Sequence, residues 1–427
     1  MLSADAFAIS DYIRYLTPVS QRREQNPIRR LLPFVNLPGM ISLGGGQPNP
    51  SLFPITGLSF GVKTPDGDEV DISLSKAELN EALRYSSTSG IPKLCSALVD
   101  LQGREHGLLD GRGYDTALTV TVGSQDGFSR SIEMLVEPGK DLVFVEVPTY
   151  SGALSFLQPY GAKMVPVPID KDGLIPSELK KALHKELDGG SSDVRRVLYM
   201  VPTAQNPSGA TLDQSRRREI YQLAQEYDLI ILEDDPYWFL HPDRKSYDSF
   251  LSLDTDGRVL RFDSMSKVIS SGLRVGFVTG PAPLVEKLNF HIEGTNLHNS
   301  GVSQIILQKI LEAWGEEGFN AHCQNVANFY CQRRDSLAAA ADKYLKGLAE
   351  WHVPDCGMFL WFRLLGVDDS KTLIEEKAPK SNILMVPGEA FSPLGGRSDF
   401  VRASFSTASD EDFDLAMQRL ATLIRDG

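Results

Sequence analysis

The sequence predicts an α/β protein, a mostly parallel sheet sandwiched by helices, with a smaller α+β domain after it. Three observations carry this. Short apolar runs alternate with helical patterns through the middle of the chain, which gives parallel strands covered on both faces. Beyond about residue 300 the pattern becomes helical and then returns to short strands. The chain has 427 residues, enough for two to three domains at roughly 150 residues each.

The elements follow in order. Residues 1–55 are punctuated by Pro and Gly, end in LGGGQPNPSLFP, and read as an irregular N-terminal arm with part of the small domain. Residues 56–330 read as the large domain. In it TALTVTV at 116–122 is a strand, and Phe128, Ile132 and Leu135 mark one face of the helix that follows. Further strands are expected at Leu142–Val147, Val197–Val201, Leu229–Leu232, Val259–Phe262 and Val275–Val278. Ser215–Tyr227 is a helix with Ile220, Leu223 and Ala224 on one face, and Asp188–Ser192 is a solvent loop. Val302–Trp314 and Ala321–Leu348 are helical, the stretch from Ala327 bridging the domains. Residues 331–427 form the small α+β domain, with strands Phe359–Leu364 and Val401–Phe405.

Composition excludes several classes. Net charge is −13, with no basic block, a poor match for nucleic acid or an anionic membrane. The four cysteines, Cys95, Cys323, Cys331 and Cys356, form no C-x-x-C pair, and the seven histidines form no metal motif. No metal site is expected, and scattered cysteines suit a reducing compartment. No run of about 18 apolar residues appears. The opening MLSADAFAISDYIRYL has neither a long apolar stretch nor the acid-poor character of a transit peptide, so a cytoplasmic protein is expected.

The chemistry gathers where the middle strands end. LVFVEV runs into Pro148-Thr149-Tyr150, VLYMV into a loop holding Gln205 and Asn206, LIIL into Glu233-Asp234-Asp235-Pro236-Tyr237, and VLRF into Asp263-Ser264-Met265-Ser266-Lys267. Ligands of a parallel sheet sit beyond the carboxyl ends of its strands. These loops offer an aromatic ring, an amide, a carboxylate with a phenol, and a lysine flanked by hydroxyls. Arg274 follows, and Gly123-Ser124-Gln125 opens a helix whose N–H groups favour an anion. A carboxylate can keep a pyridine nitrogen protonated, a lysine can form a Schiff base, and hydroxyls with Arg suit a phosphate. Pyridoxal phosphate needs all of these together.

S-M-S-K-x-x-x-x-G-L-R at 264–274, N-P-S-G at 206–209 and D-D-P-Y at 234–237 resemble the fold type I, class I aminotransferases. ISLGGGQPNPSLFP, LRYSSTSGIP, EDDPYWFL, GLRVGF, WGEEGF, GLAEWHVPDCGMFLW and VRASFS resemble the kynurenine/α-aminoadipate aminotransferases and the fungal aromatic ones. The likeness covers nearly the whole chain. It implies that Lys267 holds pyridoxal phosphate and moves the proton, that Asp234 pairs with the pyridine nitrogen, and that Tyr237 and Asn206 hold the ring oxygen. It puts Tyr150 on the ring face and Ser124, Gln125, Ser264, Ser266 and Arg274 on the phosphate. Tyr85 would reach the phosphate of the other subunit of a homodimer. Arg402 would clamp the substrate carboxylate, Asn206 would also face substrate, and Arg29, Gly46, Gln47 and Leu297 would line the side-chain pocket. Gln47 departs from the mammalian-type pattern, where leucine is expected.

Each residue has a plainer reading. A lysine after a strand is usually a surface charge; Lys267 is set apart by its flanking serines and Arg274. Asp234-Asp235 could cap a helix before Pro236, Asn206-Pro207 is a turn signal, and Arg402 could be a structural ion-pair donor. The triple glycine does not follow a strand and open a helix, so it is no dinucleotide fingerprint. The expected reaction is amino transfer from an aromatic-type amino acid or 2-aminoadipate to a 2-oxo acid by ping-pong kinetics. The alternative is a lyase or decarboxylase on the same scaffold, because the cofactor performs the electronics. A DNA-binding regulator would need a basic module ahead of this region, and none is expected.

Overall fold

A computed structural model describes residues 8–31, 34, 37–107, 113–187 and 193–426; the loop read at Asp188–Ser192 lies outside them. Among the described residues the strands begin with β1 (Ser59–Lys63), β2 (Glu69–Ser73), β3 (Thr116–Thr121), β4 (Leu142–Val147), β5 (Lys163–Asp170), β6 (Gly173–Leu174) and β7 (Arg196–Met200). They continue with β8 (Ile230–Asp234), β9 (Val259–Ser264), β10 (Gly276–Pro281), β11 (Ala349–Trp351), β12 (Phe359–Leu364), β13 (Val386–Pro387) and β14 (Phe400–Ser404). The chain divides into two compact units, each made of two stretches: Met1–Glu137 with Asp254–His322, and Pro138–Leu253 with Cys323–Gly427.

In the first unit β3, β10 and β9 pair in that order, antiparallel throughout. The run at 275–278, expected in a parallel sheet, is therefore antiparallel. Eleven residues, 265–275, join β9 to β10; a parallel return needs a crossover of about a dozen or more. The helix Ser124–Leu135 follows β3 and buries Phe128, Ile132 and Leu135 completely. Among the described residues of 8–57 there is no strand, with short helical segments at Ile13–Tyr15, Pro18–Arg22, Arg29–Leu31 and Pro50–Leu52. The start of this stretch is anchored, for Tyr12, Tyr15 and Leu16 are buried and Tyr12 donates to the Gly257 carbonyl at 3.0 Å. The hairpin β1–β2 escapes the sequence reading, since only Val62 and Ile72 of its residues are buried. The helical pattern after residue 300 is found over Gly301–Tyr344, broken at Gly315, where φ is 61°.

In the second unit β8, β7, β4 and β5 pair in that order, all parallel, and β6 adds antiparallel at the end of β5. β4 and β8 are buried without alternation because both faces are covered. β5 is outside the strands read from the sequence, and it carries Pro166 and Pro168. They are tolerated because β6 reaches only Ile169 and Asp170, leaving the rest of β5 an edge where a missing N–H costs little. The same unit holds the antiparallel sheet β11-β12-β14-β13. One face of it carries Leu360, Phe362, Leu364, Val401 and Ala403, packed with Phe413, Met417, Leu420 and Ile424 of the helix Asp410–Arg425. Each such large side chain contributes roughly 1.5–3 kcal/mol when fully buried. Ser409 and Asp412 close a reciprocal capping box at that helix.

Candidate active site

In the first unit the lysine loop is the short connection that the antiparallel turn creates. Lys267 is partly buried in the turn Met265–Ile269, closed by the Ile269 N–H on the Met265 carbonyl at 2.9 Å. Ser264 Oγ accepts from the Ser266 N–H at 3.2 Å. Arg274 takes a left-handed conformation, φ 52°, unusual for a residue with a Cβ. That bend turns its guanidinium back to Ser266 Oγ at 3.2 Å and the Val122 carbonyl at 3.1 Å. The guanidinium thus stands at the start of the helix Ser124–Leu135, whose first turn has no side-chain N-cap. A Cβ at Gly123 would come within 2.5 Å of it, and one at Gly276 within 2.6 Å of the Gly123 carbonyl carbon. The glycines permit this close approach of β10, Arg274 and the helix N-terminus. Arg274, Ser266 and the Ser124 and Gln125 end of the helix are therefore brought together as a phosphate would require. His322, not singled out in the sequence, pins the lysine loop by a contact of 2.6 Å between Nε2 and the Val268 carbonyl.

The arm residues fall elsewhere in that unit. Gln47 and Tyr85 line a cavity of about 270 Å³ with His298, and Tyr85, half exposed, meets the His298 ring edge-on at 5.8 Å. Arg29 donates to the Ser86 carbonyl at 2.9 Å and lies 3.5 Å from Glu293. Gly46 is exposed. Leu297 ends the helix Ala282–Asn296 at φ 64° with its side chain partly exposed. Gln47 and Tyr85 are thus brought together, and Arg29 is engaged by Glu293.

In the second unit Asp234 ends β8 almost fully buried and accepts from the Tyr199 hydroxyl at 2.9 Å. Burial and then the Asp234 charge push the Tyr199 phenol far up. Tyr237 is buried, its phenol also raised, first by burial, while a hydrogen bond with Asn206 opposes the rise. Asn206 Oδ1 accepts from Arg402 Nη1 at 2.8 Å. The Arg402 guanidinium carbon lies 4.1 Å from the Phe359 ring centroid and 5.0 Å from that of Phe391. Its Nε is buried without a hydrogen-bond partner. Burial lowers the Arg402 pKa, opposed by the phenols of Tyr237 and Tyr150. A partly buried cation with an unused N–H, walled by rings, calls for an anion such as a carboxylate. Tyr150 precedes the helix Ser151–Tyr160 and folds its ring over Gly152, where a Cβ would meet ring atoms at about 2.5 Å.

Sequence reasoning missed the supports. Tyr199 looked like one more apolar strand residue, and Phe359 like the start of one. Gln205 donates to Glu146 Oε2 at 3.3 Å and to the Pro148 carbonyl at 2.7 Å, and accepts from Ser208. It thereby ties the Tyr150 loop to the Asn206 loop. Glu146 is buried in β4 and also accepts from the Val201 N–H at 3.0 Å. Burial pushes its carboxyl up to about 8, with Asp234 adding to the rise.

Comparison with known proteins gives a consistent result. The family described as aminotransferase class I and II matches residues 60–420. The mitochondrial kynurenine/α-aminoadipate aminotransferase of Bos taurus is 44% identical, over 97% of this chain and 99% of that one. Among solved structures, the aminotransferase Aro8 from Candida albicans is 25% identical with a TM-score of 0.87, covering 98% and 99% of the two chains. The kynurenine aminotransferase of Pyrococcus horikoshii is 28% identical with a TM-score of 0.75, covering 98% of each.

Proposed function

The chain belongs to the class I and II aminotransferase family, and we propose that it moves the amino group of an aromatic-type amino acid, or of 2-aminoadipate, to a 2-oxo acid such as 2-oxoglutarate or phenylpyruvate. The carrying observation is Arg402, whose Nε is buried without a partner and whose guanidinium lies against the Phe359 and Phe391 rings. The guanidinium suits the carboxylate shared by donor and acceptor, and the rings suit an aromatic side chain. The lyase alternative is not favoured, since the relatives are named aminotransferases.

Pyridoxal phosphate, when bound, supplies an electron-withdrawing ring and a carbon that receives the amino group. The residues present fit it: a guanidinium at an uncapped helix start for the phosphate, and a buried carboxylate held by a phenol for a protonated nitrogen. On this reading Lys267 anchors the cofactor and then carries the proton to and from the substrate Cα. Asp234, fixed by Tyr199, keeps the pyridine nitrogen protonated. Tyr237 and Asn206 hold the ring oxygen, and Tyr150 covers the ring. Ser124, Gln125, Ser264, Ser266 and Arg274 take the phosphate. Arg402 would bind the α-carboxylate shared by donor and acceptor.

Gln47 and Leu297 would select the side chain, with Arg29 and Gly46 beside them. An acidic donor must compete with Glu293 for Arg29, so both donor types are accepted and aromatic ones are favoured. The test is a panel of donors mixed with the holoenzyme without acceptor. Conversion of the cofactor to its amine form, fastest with aromatic donors, supports the reading. Release of carbon dioxide or ammonia without that conversion would sink it.

We read the enzyme as a homodimer, in which Tyr85 serves the partner subunit's phosphate. The described part of the arm supports this, since Ile41, Leu43 and Leu52 are 86%, 95% and 80% exposed. We place it in the cytoplasm, supported by four cysteines scattered along the sequence; the bovine relative is named mitochondrial. Among the described residues no helix is long and apolar enough to cross a membrane. The division into an arm at 1–55, a cofactor-binding domain at 56–330 and a C-terminal domain at 331–427 remains our reading, supported by the separate core beneath β11–β14.

A further inference from the structure

The face of the β11–β14 sheet that turns away from its core is not an ordinary solvated face. Register places Trp361 opposite Arg402, and Arg363 opposite Phe400. The Trp361 and Phe400 rings stack at 5.1 Å with 11° between their planes. The Trp361 ring meets the Phe391 ring at 5.4 Å, nearly perpendicular. Over these rings lies a cavity of about 660 Å³, bounded on other sides by Pro148, Ser208 and His352. That volume is within the usual range for small-molecule sites. Arg402 does not line it; Phe391 is the ring common to the cavity and to the Arg402 wall.

The charges at its rim are unequal in what they have left to give. Asp170 is held by Arg216 at 2.6 and 2.8 Å. Asp399 and Glu350 are both taken by Arg363, at 2.8 and 3.5 Å. Lys171 is paired with Asp172 at 3.0 Å. Among the described residues Arg397, also on the rim, makes no ion pair or hydrogen bond, and neither does His352; both are exposed. The cavity therefore combines two indoles, Trp351 and Trp361, and two phenyl rings with one uncommitted guanidinium. Rings of this kind bind flat aromatic faces by stacking, and a guanidinium binds a carboxylate.

We infer that this cavity is a second small-molecule site, taking a planar aromatic acid of one or two rings with a single carboxylate. The ring lies against Trp361 and Phe400, and the carboxylate meets Arg397. Phe391 then couples the site to Arg402, a coupling that rests on the reading of Arg402 as the substrate-carboxylate receptor. Occupancy changes how Phe391 packs on Arg402, and substrate acids and the second ligand alter each other's affinity by equal factors.

Equilibrium dialysis of indole-3-acetate against the holoenzyme tests this. Two molecules are expected per chain. Arg402→Ala should remove one of them, while Trp361→Ala and, independently, the surface change Arg397→Glu should remove the other, weakening its Kd by at least ~10-fold. Arg397→Glu guards against a Trp361→Ala chain that fails to fold. One molecule per chain, lost with Arg402→Ala, overturns the inference and leaves the proposed function intact. Two molecules, neither affected by the cavity variants, also overturn it. If the cavity variants remove one molecule but Arg402→Ala removes none, the second site stands and the assignment of Arg402 falls.

Discussion

Arg402 Nη1 donates to Asn206 Oδ1 at 2.8 Å. The group assigned to the substrate carboxylate and a group assigned to the cofactor ring oxygen are thus one hydrogen-bonded unit. A substitution at either position disturbs the other. Arg402→Lys keeps the charge but loses the planar fork. It should lower kcat/KM for all donors alike, by about 10- to 100-fold, the equivalent of the roughly 1.5–3 kcal/mol of a hydrogen bond to a charged group. Selective loss of one donor class in steady-state kinetics would remove Arg402 from the shared carboxylate.

Lys267 lies in the eleven-residue turn that reverses the chain between β9 and β10. Borohydride reduction of the holoenzyme should fix the cofactor to a peptide containing Lys267. Lys267→Ala should prevent that labelling and abolish nearly all turnover. A labelled peptide from any other lysine refutes the assignment.

Tyr199 donates to Asp234 at 2.9 Å, which suggests a graded pair of variants. Asp234→Ala removes the anion and should lower kcat at least ~100-fold, about 2.7 kcal/mol of barrier. Tyr199→Phe removes one hydrogen bond, about 1 kcal/mol, and should lower kcat only several-fold. A change confined to KM in both variants would point to binding or capping instead.

Glu146 should shape the pH dependence of stability. Burial raises its carboxyl from 4.5 to about 8 in the folded chain. Between those values the folded state holds a proton that the unfolded state has lost, so stability falls as pH rises. The contribution is fully present below 4.5 and lost as pH rises through about 8. Glu146→Gln should therefore lose less stability than the parent chain between those limits, read by denaturant titration at several pH values. Parallel curves would show that Glu146 is ionised throughout.

The exposed arm predicts assembly. Ile41 and Leu43 are 86% and 95% exposed, a large apolar surface for one segment. Replacing both with Glu should shift sedimentation from two chains toward one and reduce activity with it. A parent chain that sediments as a monomer at assay concentration would end the homodimer reading.

The sequence by itself determined the fold class, most strands of the large sheets, and the chemical inventory of the site. Covered strands must be apolar runs, and Lys267, Asp234, Tyr237, Asn206, Arg274 and Arg402 sit in short motifs at the strand ends or on a strand. Periodicity also found the buried faces of the helices Ser124–Leu135 and Gln214–Glu226, because 3.6-residue spacing is local information. Only tertiary structure decided the rest. The direction of β10 depends on how few residues 265–275 are, and β5 survives its prolines because its outer side is nearly free. Arg29 was read as a pocket residue, and the fold sets it beside Glu293. Tyr199 beneath Asp234, Gln205 between two loops, and Phe391 between Arg402 and a cavity are pairings of residues far apart in the chain. Local pattern carries no record of such partners, because packing selects them after the strands have taken their register.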